Sequence, residues 1–205
     1  IAAERTVGSS RVARRYATVI VDEVQDLTCV GARLVAQLAA DGPEGLLLIG
    51  DGQQAIYPGG FTLAEAGIDV RGRSTVLRRN YRNTVEIVRV AQEVVGQDAF
   101  SDLDDSDELG QRDVEVTRHG PEPVRCVVAD QRRLVAALVG AVDDARRLPN
   151  VATGDIAVLV TSNAEASRYL KVLRDNHIPA MSLADYTGTA DDRVKVGTFH
   201  RAKGL

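Results

Sequence analysis

Short apolar runs alternate along the chain with stretches whose apolar positions recur every three or four residues. Tyr16 to Val21 ends in a β-branched apolar run, which predicts a buried strand. Thr28 is a candidate helix cap. Val30, Leu34, Val35 and Leu38 then fall at helical spacing until Asp41-Gly42-Pro43 ends the helix. Leu46 to Ile49 predicts a second buried strand, ending in Gly50-Asp51. Ser74 to Leu77 predicts a third, running into Arg78-Arg79-Asn80-Tyr81-Arg82. Asn83 with Glu86 three residues on forms a candidate capping box, and Val85, Val88, Ala91 and Val95 give the following helix one apolar face. Residues 101–113 are acidic and poor in large apolar groups, which predicts an exposed linker or loop. Beyond it, strands are predicted at Pro123 to Val128, Ile156 to Thr161, Ile178 to Leu183 and Arg193 to Thr198. Helices are predicted at Gln131 to Leu148 and Ala164 to Asn176. Strands alternating with helices imply an α/β fold with a mostly parallel sheet covered on both faces.

Composition narrows the class without naming a chemistry. The 205 residues suffice for one large domain or two small lobes. A hydrophobic share of 44% and a charged share of 26% are ordinary for a soluble globular protein. No apolar run approaches the ~20 residues of a membrane span, and no secretory signal pattern occurs. Cys29 and Cys126 are the only cysteines. That number builds neither a disulfide framework nor a four-ligand zinc site, so a reducing, cytoplasmic setting is expected. The net charge of -4 argues against a surface that is basic throughout. It leaves room for a local basic groove, because phosphate binding follows the placement of charge. The chain begins at Ile1 and ends at Leu205, just after Lys203-Gly204, and we expect it to be a segment of a longer protein.

Four polar segments stand at predicted strand ends. Val19-Ile20-Val21 runs straight into Asp22-Glu23, followed by Gln25-Asp26. Adjacent carboxylates at a strand tip suit a Mg²⁺ ligand and a water-polarising acid, and they also suit a solvated acidic turn. Gly50-Asp51-Gly52-Gln53-Gln54 follows the second strand. The amide of Gln54 can hold a water or a phosphate oxygen without taking a proton, and a Gly-rich turn with solvent-facing amides fits equally. Ala55 stands where a dinucleotide fingerprint needs its third Gly. Tyr81-Arg82 offers a ring for stacking and a planar cation for phosphate, or simply a half-buried Tyr beside a surface Arg. Thr198, His200, Arg201 and Lys203 at the last strand end suit phosphodiester contacts, although a lone His200 fits a core hydrogen bond as well.

Taken together, the segments resemble the UvrD/Rep family of superfamily 1 DNA helicases in order and spacing. The matching stretches are Val21 to Thr28 (VDEVQDLT), Gly50 to Tyr57 (GDGQQAIY), Leu77 to Asn83 (LRRNYRN) and Val196 to Leu205 (VGTFHRAKGL). The resemblance implies RecA-like parallel sheets with flanking helices. Residues 1–82 would be the C-terminal part of a first motor lobe and 83–205 most of a second. It implies ATP and Mg²⁺ as cofactors and single-stranded or partly duplex DNA as partner, with 3′-to-5′ movement in repair or recombination. Asp22 would hold Mg²⁺, with Glu23 beside it polarising water. Gln54 would sense the γ-phosphate, Tyr81 would stack on adenine and Arg82 would act as an arginine finger. Gly204 would lie by the nucleotide, and Tyr57, Thr198, His200 and Lys203 along the strand or the cleft that couples it to ATP.

The chain departs from that pattern in three places. No G-x-x-x-x-G-K-[ST] phosphate loop occurs in it, so we expect that loop upstream and expect the isolated chain not to hydrolyse ATP. Gly59 and Gly60 stand where an aromatic residue and an Arg are usual, and Phe61 supplies a replacement π face for a base. Residues 83–197 leave no room for a large helical insertion, although a small one around 98–120 fits. Three other readings stay open. They are a non-catalytic nucleic-acid-binding module, the motor of a helicase-nuclease or defence protein, and an unrelated α/β phosphatase or GTPase.

Overall fold

A computed structural model describes residues 16–54, 60–96, 99–101, 103, 107–109 and 114–203. The chain divides into two compact units, Ile1–Pro123 and Val124–Leu205.

The first unit opens with a β-α-β element. Strand β1 (Val19–Val21) leads through helix α1 (Cys29–Leu38) to β2 (Leu46–Leu48). The two strands pair in parallel, Val19 opposite Leu46 and Val21 opposite Leu48. Thr28 caps α1 as its sequence position predicts, its hydroxyl accepting the Gly31 N–H at 3.1 Å. Val24, Ala32 and Ala39 are buried around this element. Parallel pairing points both strands the same way, so the residues after Val21 and after Leu48 emerge at one edge.

Next come β3 (Arg79–Asn80), α2 (Val85–Val95), β4 (Ala99–Ser101), β5 (Asp107–Leu109) and β6 (Glu115–Val116). Strands β3 and β6 are parallel, while β4 and β5 form an antiparallel pair. Three expectations change here. The strand predicted at Ser74–Leu77 is unpaired, Leu77 being 88% exposed, because β6 offers only two residues and they meet Arg79 and Asn80. The acidic stretch expected as a linker or loop contains β5, at the place where a small insertion was expected to fit. Asn83 is not the cap of α2. Its N–H is held by Asn80 Oδ1 at 3.0 Å, and Thr84 caps instead, accepting from Ile87 N at 3.4 Å.

Glu86 lies in the first turn of α2. Its carboxylate accepts from His119 Nδ1 (3.0 Å) and Gly120 N (2.9 Å). The His119 hydrogen bond, followed by backbone N–H groups, holds its pKa down at about 2 against an ordinary 4.5. A carboxylate depressed in the folded state stabilises fully above the unfolded pKa. That stability is lost as pH falls from about 4.5 toward about 2. Urea melts at successive pH values across this window should show the first unit weakening with acid, and Glu86→Gln should flatten that part of the dependence.

The second unit contains α3 (Gln131–Arg146), β7 (Ala157–Val160), α4 (Asn163–Asp175), β8 (Ala180–Ser182), β9 (Val194–Thr198) and the short α5 (Phe199–Ala202). Its three strands are parallel in the order β7-β9-β8. Val142, Tyr169, Leu173, Ile178, Val194 and Val196 form the core between helices and sheet. Asp130 caps α3, accepting from Arg133 N at 2.9 Å, and Ser162 with Glu165 forms a capping box at α4. The strand predicted at Pro123–Val128 is absent. Val124 and Val127 are 92% and 81% exposed, and no strand pairs with them among the described residues. Lys195 is buried within β9 and fully engaged. Its ammonium donates to Gly154 O (2.7 Å) and Asp191 Oδ1 (2.9 Å) and lies 4.9 Å from the centre of the Tyr186 ring.

Candidate active site

The edge reached by β1 and β2 holds the acidic pair. Asp22 and Glu23 are exposed, while the next two residues, Val24 and Gln25, are 1% and 5% exposed. This sharp change of direction rests on Glu23, whose φ of 51° lies in the left-handed region. A non-glycine residue held there costs roughly 1–3 kcal/mol, and such positions cluster at functional sites. Asp22 Oδ1 accepts the Glu23 N–H at 2.9 Å, which steadies the turn. Val24 N donates to Ile49 O at 3.0 Å, tying the turn to the end of β2.

Buried Gln25 joins the two strand ends. Its Nε2 donates to Glu23 Oε2, and its Oε1 accepts the Asp51 N–H at 3.1 Å. The orientation of this amide is unambiguous, because a backbone N–H only donates and an ionised carboxylate only accepts. Asp51 continues the chain of bonds. One of its oxygens accepts from Gln53 N (3.0 Å) and the other from Gln54 Nε2 (2.9 Å), shaping the 3-10 turn Gly52–Gln54. Glu23, Gln25, Asp51 and Gln54 are thus linked in sequence by side-chain hydrogen bonds.

Gly50 makes this packing possible. A Cβ there would stand 2.6 Å from Gln25 Oε1, 2.7 Å from Val24 Cγ1 and 2.9 Å from Leu103 Cδ1. Gly50→Ala should therefore cost about 1–3 kcal/mol, the usual range for overpacking. Denaturant melts of the chain would measure it, and a melt matching the native protein would refute the tight fit.

A cleft of about 260 Å³ opens beside these residues, lined by Gln25, Gly52, Phe61, Thr62 and Glu65 among others. It places Phe61, expected to face a base, next to the loop that carries Gln54. Tyr57, expected to lie along the strand, falls outside the described residues.

Tyr81 and Arg82 sit on a second turn of the same unit. Asn80 Oδ1 accepts the N–H groups of Arg82 and Asn83, both at 3.0 Å. Arg118 donates to the carbonyls of Tyr81 (3.3 Å) and Arg82 (3.0 Å) from the other side. The Tyr81 ring is 67% exposed, with the Arg79 guanidinium 6.0 Å from its centre. Arg79 is itself anchored by Glu115 at 3.0 Å. Among the described residues, the Arg82 guanidinium has neither an ion-pair nor a hydrogen-bond partner, so its charge is open to an anion.

In the second unit, Thr198 ends β9 and caps α5, its hydroxyl accepting from Arg201 N at 3.3 Å. A cap is an ordinary structural duty, and the hydroxyl proton stays available to a ligand. His200 is exposed and Lys203 half-buried on α5 and just beyond it, which does not match a core histidine. Gly204 lies outside the described residues. Gly197 is fixed by packing, since a Cβ there would come within 2.6 Å of Leu183 Cβ.

The donor set fits Mg²⁺ in its usual nucleotide-bound form. Among the described residues, no three His, Cys, Asp or Glu side chains gather around a common point. Mg²⁺ in phosphoryl-transfer sites takes one or two carboxylates, with phosphates and water completing its shell. Asp22 offers one exposed oxygen beyond that given to Glu23 N. Glu23 is held by an amide donor, an arrangement that orients a carboxylate without neutralising it.

Reasoning from sequence overlooked three residues of these arrangements. Gln25 has no role that residue order alone assigns. An amide on the buried side of a strand-end turn was the available signal. Arg79 and Arg118 act through their positions on β3 and beside β6, and no local pattern marks them.

A comparison with curated proteins finds no match for the chain. Residues 4–68 match the family model described as the UvrD/REP helicase N-terminal domain. Among the described residues, no helix is long and apolar enough to cross a membrane. Over residues 4–68, the stretch that holds β1, α1, β2 and the linked residues Glu23 to Gln54, the chain is of the UvrD/Rep helicase type.

Proposed function

We propose that the chain is the motor segment of an ATP-dependent single-stranded-DNA translocase or helicase, moving 3′ to 5′ in DNA repair or recombination. The observation that carries this reading is the hydrogen-bonded series from Glu23 through Gln25 and Asp51 to Gln54 at the carboxyl ends of two parallel strands. Open α/β sheets bind their ligands at such edges.

Mg²⁺-ATP supplies the phosphoryl group whose transfer to water drives movement. Asp22 would hold the metal, mostly through water. Glu23 takes the proton of the attacking water, and the Gln25 amide holds one of its carboxylate oxygens. Gln54 contacts the terminal phosphate and reports its presence to the strand-binding side. Tyr81 stacks on adenine, Arg82 compensates charge that develops on the γ-phosphoryl oxygens, and Gly204 borders the nucleotide. Phe61, Tyr57, Thr198, His200 and Lys203 meet the DNA by stacking and phosphate contacts. On this reading residues 1–82 belong to one motor lobe and 83–205 to the next, a boundary that falls inside the compact unit Ile1–Pro123. With no phosphate-loop sequence of its own, the chain does not turn over ATP in isolation.

A binding module without catalysis would have no use for a buried amide clamping an exposed carboxylate. The test is translocation by a polypeptide in which a phosphate-loop segment is joined to this chain, on single strands labelled at either end. ATP-dependent arrival at the 5′ label supports the reading. Arrival at the 3′ label overturns the polarity, and no arrival at either end overturns the motor.

A further inference from the structure

We infer that Gln25 is a positioning residue that holds the general base Glu23 and the Gln54-bearing loop as one body, so that the state of that loop sets the placement of the base. The inference rests on the functional reading above and adds a residue and a coupling to it.

Three observations carry it. Gln25 is 5% exposed, and both ends of its side-chain amide are taken by protein partners. Its two ends serve different strand tips, Nε2 the carboxylate of Glu23 after β1 and Oε1 the backbone N–H of Asp51 after β2. Asp51 in turn carries Gln54 through its second oxygen, at 2.9 Å. The bridge also has little slack. Val24 is 1% exposed, and Gly50 lies so close that a Cβ would fall 2.6 Å from Gln25 Oε1. A shift of the Gly52–Gln54 turn that moves Asp51 must therefore move the Gln25 amide, and with it the Glu23 carboxylate. Glu23 stands at φ 51°, where few alternative backbone states are open, so the displacement falls on the side chain.

Two substitutions separate positioning from support. Gln25→Leu removes both bonds. Gln25→Glu keeps an acceptor for the Asp51 N–H and nearly the same shape, and it replaces the donor facing Glu23 with a second acid. If Gln25 only supported the loop, Gln25→Glu would behave as native. If it positions the base, both variants lower kcat for ATP hydrolysis by about 10²-fold, the scale of a small misplacement of reacting groups. KM for ATP and affinity for a dT oligonucleotide should stay within about threefold, since only a transition-state interaction is lost.

A second readout needs no turnover. In the 205-residue chain, the side-chain amide proton resonances of Gln25 should shift when Glu23 is replaced by Ala. Kinetics are measured in the longer polypeptide with the phosphate loop, beside circular dichroism of each variant. Native kcat in Gln25→Glu, or amide resonances indifferent to Glu23→Ala, would overturn the inference and leave the functional reading intact. No turnover by the native polypeptide would overturn both.

Discussion

Replacing Arg82 by Ala is expected to lower ATP turnover by about 10³–10⁵-fold, the range reported for arginines that meet a transferring γ-phosphoryl group. The expectation rests on how the side chain is presented. Asn80 holds the Arg82 N–H and Arg118 holds its carbonyl, so the backbone is fixed at both polar groups. Arg79 is committed to Glu115 and Arg118 to two carbonyls. Arg82 is the guanidinium on this turn left without a protein partner among the described residues. Arg82→Lys should recover little, because a point charge does not reproduce a planar fork of donors. The measurement is steady-state ATP hydrolysis with saturating single-stranded DNA, alongside nucleotide affinity by fluorescence. A loss confined to KM would place Arg82 in ground-state binding instead.

Glu23→Gln is expected to lower kcat by about 10²–10⁴-fold with KM for ATP little changed, the signature of a lost general base. The substitution keeps the shape of the side chain and leaves an oxygen able to accept from Gln25 Nε2. It therefore tests proton acceptance with the local fold preserved. Asp22→Asn should differ in kind, since its effect should be partly relieved by raising the Mg²⁺ concentration. Native-like turnover in Glu23→Gln would move the base elsewhere.

Much of the fold was legible because local signals and tertiary packing agree. The strand before Asp22, the Thr28 cap and the helical spacing of α1 each follow from residues close in sequence, while the burial expected of that strand does not hold, Ile20 being 65% exposed. So do the Ser162–Glu165 box and the helices of the second unit. The failures share a cause. Ser74–Leu77 and Pro123–Val128 carry strand-like composition, but a strand needs a partner, and pairing is decided by residues far away. Asn83 lost its capping place to Thr84 because Asn80, three residues earlier, claims its N–H. Lys195 lies in a strand that residue order predicts, and its burial depends on Asp191 and Gly154.

Asp22, Glu23 and Gln54 follow the apolar strands β1 and β2, while Arg82 follows the polar pair Arg79–Asn80, which residue order did not single out as a strand. Nothing in residue order says that Gln25 faces inward, because the turn that buries it depends on the backbone of Glu23. The tight approach of Gly50 is equally invisible until β1 and β2 are side by side.

The most direct measurement of the central claim is ATP hydrolysis by the longer polypeptide, with and without single-stranded DNA. Turnover should be stimulated several-fold or more by DNA and should vanish in Glu23→Gln. DNA binding with no hydrolysis in either condition would contradict that claim, leaving a nucleic-acid-binding fold without a motor.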